Sequence, residues 1–290
     1  MSPDPGETEA FAPPPELAID TGIARRVAVE FIRGQLRQAG FERLVLALSG
    51  GIDSALVAYL ATEAIGAARL LCILLPYRTS SPASRSDAES VVADLGCPSE
   101  LVDISPTVDA FYAGSSDASN LRRGNFMARI RMAVLYDRSV SFGGLVIGTG
   151  NKTESLIGYS TLFGDSAYAF NPIGDLYKSQ VRQLAAAMGV PSAILHKAPS
   201  ADLWPGQTDE SEGGFSYPVL DRLLFWRIDK RRSVEEVVAL GFEPALVERV
   251  DRMVATSEFK RQVPPIAKIG PRTAGIDYLY PRRRPGSARG

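Results

Sequence analysis

The chain has 290 residues, a length that suits one large domain or two small ones. Its 32 basic and 33 acidic side chains nearly cancel, which gives no reason to expect a strongly basic nucleic-acid-binding protein or an acidic tail. With one histidine, His196, and two cysteines, Cys72 and Cys97, the chain has almost no material for a histidine-rich metal site, a Ser-His-Asp triad or a disulfide framework. Its chemistry must rest mainly on carboxylates, hydroxyls, lysines, arginines and backbone amides.

Nothing in the sequence indicates export or membrane insertion. Residues 1–15 contain proline, glutamate and aspartate but no apolar signal-peptide core. Apolar runs such as 44–48 and 70–75 fall far short of the roughly 20 residues that cross a bilayer. Two cysteines with no sign of pairing fit a reducing compartment. We therefore expect a cytoplasmic protein without a membrane or nucleic-acid partner.

Short apolar runs alternate with helical patterns along the first two thirds of the chain. The proline-rich residues 1–15 are predicted to be a disordered leader, and a helix is predicted over 17–39 with Gly40 as its C-cap. Strands are predicted at 43–48, 70–75, 100–104 and 145–147, and helices at 55–65, 84–95, 125–139 and 176–188. Such alternation predicts a parallel sheet that helices cover on both faces.

The C-terminal third shows helical patterns only. Residues 198–216 are polar and glycine-rich without periodicity, and helices are predicted at 217–228, 233–240 and 244–256. Residues 266–290 are predicted to form an extended basic tail. We therefore expect a single domain over 16–265, between the leader and the tail.

The first motif that carries chemistry is Ser49–Ser54, with the sequence SGGIDS, between a predicted strand and a predicted helix. Gly50 and Gly51 allow a tight turn and a close approach to a ligand. The amides of the first helical turn would point at that ligand, with the positive end of the helix dipole behind them. Neither the Walker pattern nor a glycine-rich dinucleotide pattern is present after a strand, so the motif predicts a different kind of phosphate site.

Asp53 is the informative residue of this motif. A carboxylate beside phosphates is repelled unless a cation lies between them, so Asp53 indicates a Mg²⁺ ion. The alternative is that Asp53 is only a helix N-terminal residue that the dipole favours.

The motif Ser49–Ser54 resembles the pyrophosphate loop of the ATP-pyrophosphatase superfamily, whose members cleave ATP between its α- and β-phosphates. Later stretches, in their order and spacing, are similar to those of the NAD synthetase family. They are LPYRTS at 75–80, GNFMARIR at 124–131, GTGNKTE at 148–154, NPIGDLYK at 171–178, PSADLWPGQTDE at 199–210 and FKRQVP at 259–264. This resemblance covers roughly residues 20–280. It implies a Rossmann-like, doubly wound parallel sheet of the adenine nucleotide alpha-hydrolase type with additional C-terminal helices.

The resemblance also implies roles for particular residues. Those implied to bind ATP are Ala47, Leu48, Ser49, Gly50, Gly51, Ile52, Asp53, Ser54, Thr149, Lys178 and Ser200. Asp53 and Glu154 are implied to hold Mg²⁺, and Asp53 and Lys178 to be catalytic. Substrate contacts are implied for Arg129 and Lys260, and we add Phe259, in the place of a family histidine, and Asp165, the nearest remaining carboxylate. From the residues alone, Glu154 is equally a first-turn helix carboxylate, and Lys178 and Arg129 are equally solvated charges.

The substrate side departs from the family pattern. Leu162 and Ala169 stand where the best-known members have a lysine and an aspartate that contact the deamidated substrate, and Phe259 stands where they have a histidine. Asp165 is the nearest carboxylate left in that stretch. The contacts to the nicotinate end of the substrate are therefore open, while the ATP side follows the family.

The reaction that the resemblance implies is the amidation of deamido-NAD to NAD⁺. ATP and Mg²⁺ would form an acyl-adenylate, and ammonia would displace AMP from it. Because the acyl-adenylate is sensitive to water, the loops 77–86 and 198–216 are candidate lids. The family also implies a homodimer. Glutamine-dependent members carry a further amidotransferase domain for which this chain has no room, so we expect free ammonia or ammonia from a separate glutaminase.

Three other interpretations stay open. The first is an amide-forming relative that acts on a different carboxylate, which the departures at Leu162 and Ala169 motivate. The second is a nucleotide-binding module without turnover, in which Asp53 and Glu154 would be vestigial. A tRNA-modifying enzyme is disfavoured, because it would need a basic surface and, for thiolation, paired cysteines.

Overall fold

Four parallel strands form the central sheet of the computed structural model, which describes residues 14–114, 118–200, 202–204 and 213–277. They are β1 (Arg43–Ala47), β2 (Leu70–Leu74), β3 (Ser99–Leu101) and β4 (Gly144–Val146), in the order β3-β2-β1-β4. All four strands predicted from apolar runs are present. Most of the predicted leader, at 1–13, and the end of the predicted tail, at 278–290, lie outside the described residues.

The helices alternate with the strands as predicted. They are α1 (Thr21–Ala39), α2 (Ile52–Ile65), α3 (Pro82–Leu95), α4 (Ser105–Tyr112), α5 (Asn120–Phe142), α6 (Lys152–Ile157), α7 (Lys178–Ala187), α8 (Ser192–Leu195), α9 (Tyr217–Leu224), α10 (Val234–Ala239) and α11 (Pro244–Thr256). The predicted C-cap of α1 is confirmed, because Gly40 has a left-handed backbone and its amide donates to the last carbonyls of the helix.

Helices cover both faces of the sheet, which confirms the doubly wound α/β fold. Along β1, Leu44 and Leu46 face a core shared with α1, α2, α3 and α7, while Val45 faces a core shared with α4 and α5. Because both faces of the sheet are covered, the central strands β1 and β2 are continuous apolar runs without alternation. The strand order reverses direction between β1 and β4, and open α/β sheets bind their ligands at such a point.

Several predicted boundaries were wrong. Helix α2 begins at Ile52 instead of residue 55, so Asp53 and Ser54 belong to its first turn. The candidate lid at 77–86 is a loop only as far as Ser81, because Pro82 starts α3; proline suits the first position of a helix, where no amide partner is needed. Helices α4, α6 and α8 were missed, since segments of four to eight residues are too short to display helical periodicity.

The C-terminal helices form a third core, separate from the two on the faces of the sheet. Leu220 and Leu224 of α9 and Val247 of α11 pack there with Leu17, from the short 3₁₀ turn that precedes α1, and with Tyr177, which precedes α7. The additional C-terminal helices that the resemblance implied are thus present, and they lie directly behind the start of α7.

Both cysteines are free thiols, buried in the core that β1 shares with α1, α2, α3 and α7. Their Sγ atoms are 3.5 Å apart, with Cys72 on β2 and Cys97 just after α3. They pack as small apolar residues. Within the described ranges, no helix is both long enough and apolar enough to cross a membrane.

The turn that follows β1 requires glycine at position 50. Gly50 has a φ of 77°, and a Cβ atom there would lie 2.0 Å from the backbone oxygen of Ser84 in α3. We therefore expect Gly50→Ala to lower the free energy of unfolding by about 2 kcal/mol or more, measured by urea denaturation. Gly34→Ala is the matched control, because Gly34 is inside α1 with nothing within 4 Å, and alanine there should add about 0.5–1 kcal/mol. Equal stabilities of the two variants would contradict this account of the turn.

Candidate active site

Hydrogen bonds between side chain and backbone hold the turn after β1 closed. The Ser49 and Ser54 Oγ atoms are 3.0 Å apart, and the Ser54 hydroxyl also donates to the Gly51 carbonyl at 3.0 Å. The Gly51 amide donates to Ser49 Oγ at 3.2 Å. These bonds place the turn at the N-terminus of α2, where the positive end of the helix dipole favours an anion.

A buried ammonium group lies beside this turn. Lys178 Nζ is 2.5 Å from Asp53 Oδ2 and 3.2 Å from Glu154 Oε1, and the lysine is only 3% exposed. Lys178 is therefore not a solvated charge, which was the alternative interpretation. A buried ammonium is tolerated only with compensating charge, and two carboxylates from distant parts of the chain supply it.

Asn151 completes this cluster and was missed from the sequence. Its Nδ2 donates to Asp53 Oδ1 at 2.9 Å. It is also the N-cap of α6: its Oδ1 accepts from the Glu154 amide at 3.0 Å, and its own amide donates to Glu154 Oε2 at 3.3 Å. An N-cap residue followed three positions later by glutamate is a recognisable capping-box pattern, so the signal was available. The capping bonds of Asn151 orient Glu154, and its side-chain amide orients Asp53.

Asp221 joins the two segments that carry Glu154 and Lys178. This fully buried carboxylate accepts from Thr153 Oγ1 at 2.6 Å and from the amide and hydroxyl of Ser179 at 2.7 and 2.6 Å. Thr153 Oγ1 in turn accepts from the Lys178 amide at 3.0 Å. Burial raises the pKa of Asp221, and the hydrogen bonds from Ser179 and Thr153 oppose that rise. In the sequence, Asp221 was visible only as an acid among the apolar residues of α9.

The cluster lies at one end of a cavity of about 1160 Å³ at the carboxyl ends of the strands. Most of the residues that the resemblance selected line it. They are Ala47, Leu48, Ser49, Gly51, Ile52, Asp53, Ser54, Thr149, Glu154, Asp165, Lys178, Ser200 and Lys260. Gly50 faces away from the cavity, toward α3, so its part is to shape the turn.

Two of the predicted substrate residues lie outside the cavity wall. Arg129 is exposed on α5 and its Nη2 donates to the Leu162 carbonyl at 3.2 Å. Phe259, in the place of the family histidine, is 60% exposed in a 3₁₀ turn after α11. Both roles stay predictions, because neither residue is brought to the cavity within this chain.

The two other predicted substrate residues face each other across the loop that follows α6. Lys260 Nζ donates to the Gly158 and Ser160 carbonyls, each at 2.7 Å, and Asp165 Oδ1 accepts from the Thr161 amide at 2.7 Å. Burial lowers the pKa of Lys260 and raises the pKa of Asp165. The charge of each residue partly opposes the pKa shift of the other. Lys260 thus holds the loop in place while Asp165 is presented to the cavity.

Of two further residues, Trp204 lines the cavity and His196 does not. His196 is exposed at the end of α8, where its Nδ1 lies 2.7 Å from the Ser192 carbonyl oxygen, and it is not part of the cavity wall. Trp204 lines the cavity beside Gly124. Of the second candidate lid, 198–216, residues 201 and 205–212 lie outside the described part of the chain.

The sheet order, the glycine turn at its point of reversal and the carboxylate–lysine cluster define an α/β enzyme of the adenine nucleotide alpha-hydrolase type. Comparison with known proteins agrees: the model of the NAD synthase family matches residues 24–264. The chain belongs to the NAD synthase family, a family of ligases.

Individual relatives are similar over nearly the whole chain. The NH(3)-dependent NAD(+) synthetase of Chlorobaculum parvum is 49% identical over 269 residues, which are 93% of this chain and 97% of the relative. The solved structure of the NH3-dependent NAD synthetase from Campylobacter jejuni, in complex with the nitrate ion, superposes with a TM-score of 0.75 at 34% identity, covering 87% of this chain and all of that one. The NMN synthetase from Francisella tularensis superposes with a TM-score of 0.77 at 31% identity and the same coverage.

Replacing Asp221 tests its part in the site. Asp221→Ala leaves the Thr153 hydroxyl and both Ser179 donors without their acceptor, so we expect a loss of about 3–5 kcal/mol in the free energy of unfolding, measured by urea denaturation. Glu248→Ala, at an exposed position of α11, should change it by less than about 0.5 kcal/mol. If the two variants were equally stable, Asp221 would not hold these segments together.

Proposed function

We propose that the protein converts deamido-NAD to NAD⁺ with ATP and ammonia and releases AMP and pyrophosphate. The observation that carries the proposal is the buried Asp53–Lys178–Glu154 cluster at the end of a cavity, beside a glycine turn that suits phosphate. The NH(3)-dependent NAD(+) synthetase of Chlorobaculum parvum, which this chain matches over 97% of its length, supports the choice of substrates.

The residues present fit a Mg²⁺ ion. The carboxylates of Asp53 and Glu154 lie close to each other, because the Lys178 ammonium nitrogen is within 3.2 Å of an oxygen of each. Two carboxylate oxygens, with phosphate oxygens and waters, are a typical Mg²⁺ ligand set. Asp53 and Glu154 would hold the ion, and when bound it would neutralise charge on the ATP phosphates.

Lys178 and the turn after β1 supply the charge that the first step needs. In that step a carboxylate oxygen of the substrate forms a bond to the α-phosphorus of ATP, and the bond from that phosphorus to the pyrophosphate oxygen breaks. Negative charge grows on the leaving pyrophosphate. Lys178 and the amides of the first turn of α2 are positioned in advance to offset it, which is the main way in which enzymes accelerate phosphoryl and adenylyl transfer.

The second step needs no side-chain nucleophile. The nitrogen of ammonia attacks the acyl carbon, AMP departs with the bonding pair, and ammonia's excess proton passes to solvent. Ammonia is already a nucleophile, so the near-absence of histidine and the burial of both cysteines are compatible with the reaction. Because water would hydrolyse the acyl-adenylate, turnover requires that bulk water be kept away from this intermediate.

On the substrate side, we propose contacts from Arg129, Asp165, Phe259 and Lys260. Arg129 and Phe259 are exposed, so their roles fit an enzyme that works as a homodimer, with the dinucleotide near the contact between subunits. Helix α1 exposes Val27, and α5 exposes Val140, which gives such a contact apolar surface. A cytoplasmic location and ammonia taken free or from a separate glutaminase complete the proposal.

Product analysis tests the reaction. With ATP, Mg²⁺ and an ammonium salt, we expect deamido-NAD to yield one AMP and one pyrophosphate for each NAD⁺ formed, as measured by chromatography. Nicotinate mononucleotide is the second substrate to assay, because the chain is structurally similar to an NMN synthetase and lacks the family lysine and aspartate at Leu162 and Ala169. If AMP formed only with the mononucleotide, the alternative of a different carboxylate substrate would replace this one.

Removing either carboxylate tests the Mg²⁺ assignment. Asp53→Asn and Glu154→Gln keep the shape of the side chains but remove their charge. We expect turnover to fall at least about 100-fold and the Mg²⁺ concentration for half-maximal turnover to rise, in steady-state assays across a Mg²⁺ series. Glu30→Gln, a surface change on α1, is the control. An Asp53→Asn enzyme with unchanged Mg²⁺ dependence would rule this role out.

A further inference from the structure

Arg131 is a cavity residue that the reaction described so far does not use. It lies on α5, lines the cavity, and donates from Nε to the Leu75 carbonyl at 3.0 Å. That is its one hydrogen bond in the described part of the chain, and no carboxylate of the described residues is within salt-bridge distance of it. Both terminal amino groups of its guanidinium are therefore available to a ligand in the cavity.

The surroundings of Arg131 leave its charge under-compensated. Burial lowers its pKa, and the charges of Asp202 and Asp165 oppose that shift from a distance. Arg138, two turns further along the same helix, shows the usual arrangement: its Nε and Nη2 each lie 2.7 Å from an oxygen of Glu100. A shielded cation without such a partner costs free energy that a bound anion recovers.

The guanidinium of Arg131 is also held in one orientation. Its Nε is hydrogen-bonded to the backbone carbonyl of Leu75, a buried residue just after β2. Helix α5 is packed in place on both sides of Arg131. Met127 and Leu135 of α5 are buried in the core beneath the sheet, and Ala128 packs against Gly164. A fixed arginine with two open amino groups matches the geometry of a phosphate or carboxylate.

We propose that Arg131 binds an oxyanion of a substrate in the cavity and is a further substrate-binding residue of the enzyme. The inference rests on the proposed function, which brings two substrates with oxyanions to this cavity. The anion has two possible sources, an ATP phosphate or an acidic group of the dinucleotide. Asp202, near the predicted ATP residue Ser200, and Asp165, a predicted substrate residue, both line the cavity and both act on the charge of Arg131, so either source is open to it.

Direct binding of each substrate to variants tests this role. Arg131→Gln removes the charge, and Arg131→Lys keeps it without the two-pronged geometry. Calorimetric titration with ATP and, separately, with deamido-NAD should show the dissociation constant of one of them rising about 10- to 100-fold in Arg131→Gln, with a smaller rise in Arg131→Lys. Arg138→Gln, on the same helix but outside the cavity wall, should leave both dissociation constants unchanged.

The pattern of outcomes identifies the anion. A rise for ATP alone assigns Arg131 to a phosphate of ATP, and a rise for deamido-NAD alone assigns it to an acidic group of the dinucleotide. Unchanged affinity for both substrates in folded Arg131→Gln protein would overturn the proposal, even if the melting temperature fell. If the wild-type protein amidated neither deamido-NAD nor nicotinate mononucleotide, the proposed function would fail. The comparison of dissociation constants would still decide the role of Arg131.

Discussion

The contact between the Lys178 ammonium and the carboxylates of Asp53 and Glu154 is the interaction on which the site depends. It unites the turn after β1, the helix after β4 and the start of α7, three segments far apart in the chain. These charged groups are largely shielded from water. Removing one of them would therefore leave the others buried without compensating charge.

The C-terminal helices take part in this arrangement although they contribute no strand. Through Asp221, helix α9 accepts hydrogen bonds from Thr153 and Ser179, the neighbours of Glu154 and Lys178. The core of the C-terminal helices thus holds in place the segments that carry Glu154 and Lys178. The C-terminal helices therefore matter to the site through the carboxylate of Asp221 and the apolar core that holds it.

The cavity separates two kinds of wall. On one side, short-range hydrogen bonds among Ser49, Gly51 and Ser54 hold the turn after β1. On the other, Lys260 holds the loop after α6 through the Gly158 and Ser160 carbonyls, and Asp165 of that loop lines the cavity. The first set of contacts is local in the chain, and the second depends on contacts between loops that are distant in the sequence.

The sequence by itself determined the parallel α/β sheet, the turn at Ser49–Ser54 and the family to which the chain belongs. Each of these is encoded locally, in apolar runs bounded by turn residues or in motifs of a few residues. Only the tertiary structure decided that Lys178 is buried, that Asp221 holds the site and that Arg131 instead of Arg129 reaches the cavity. A charged residue in a helix reads the same whether it faces water or a cavity, and long-range packing alone makes that choice.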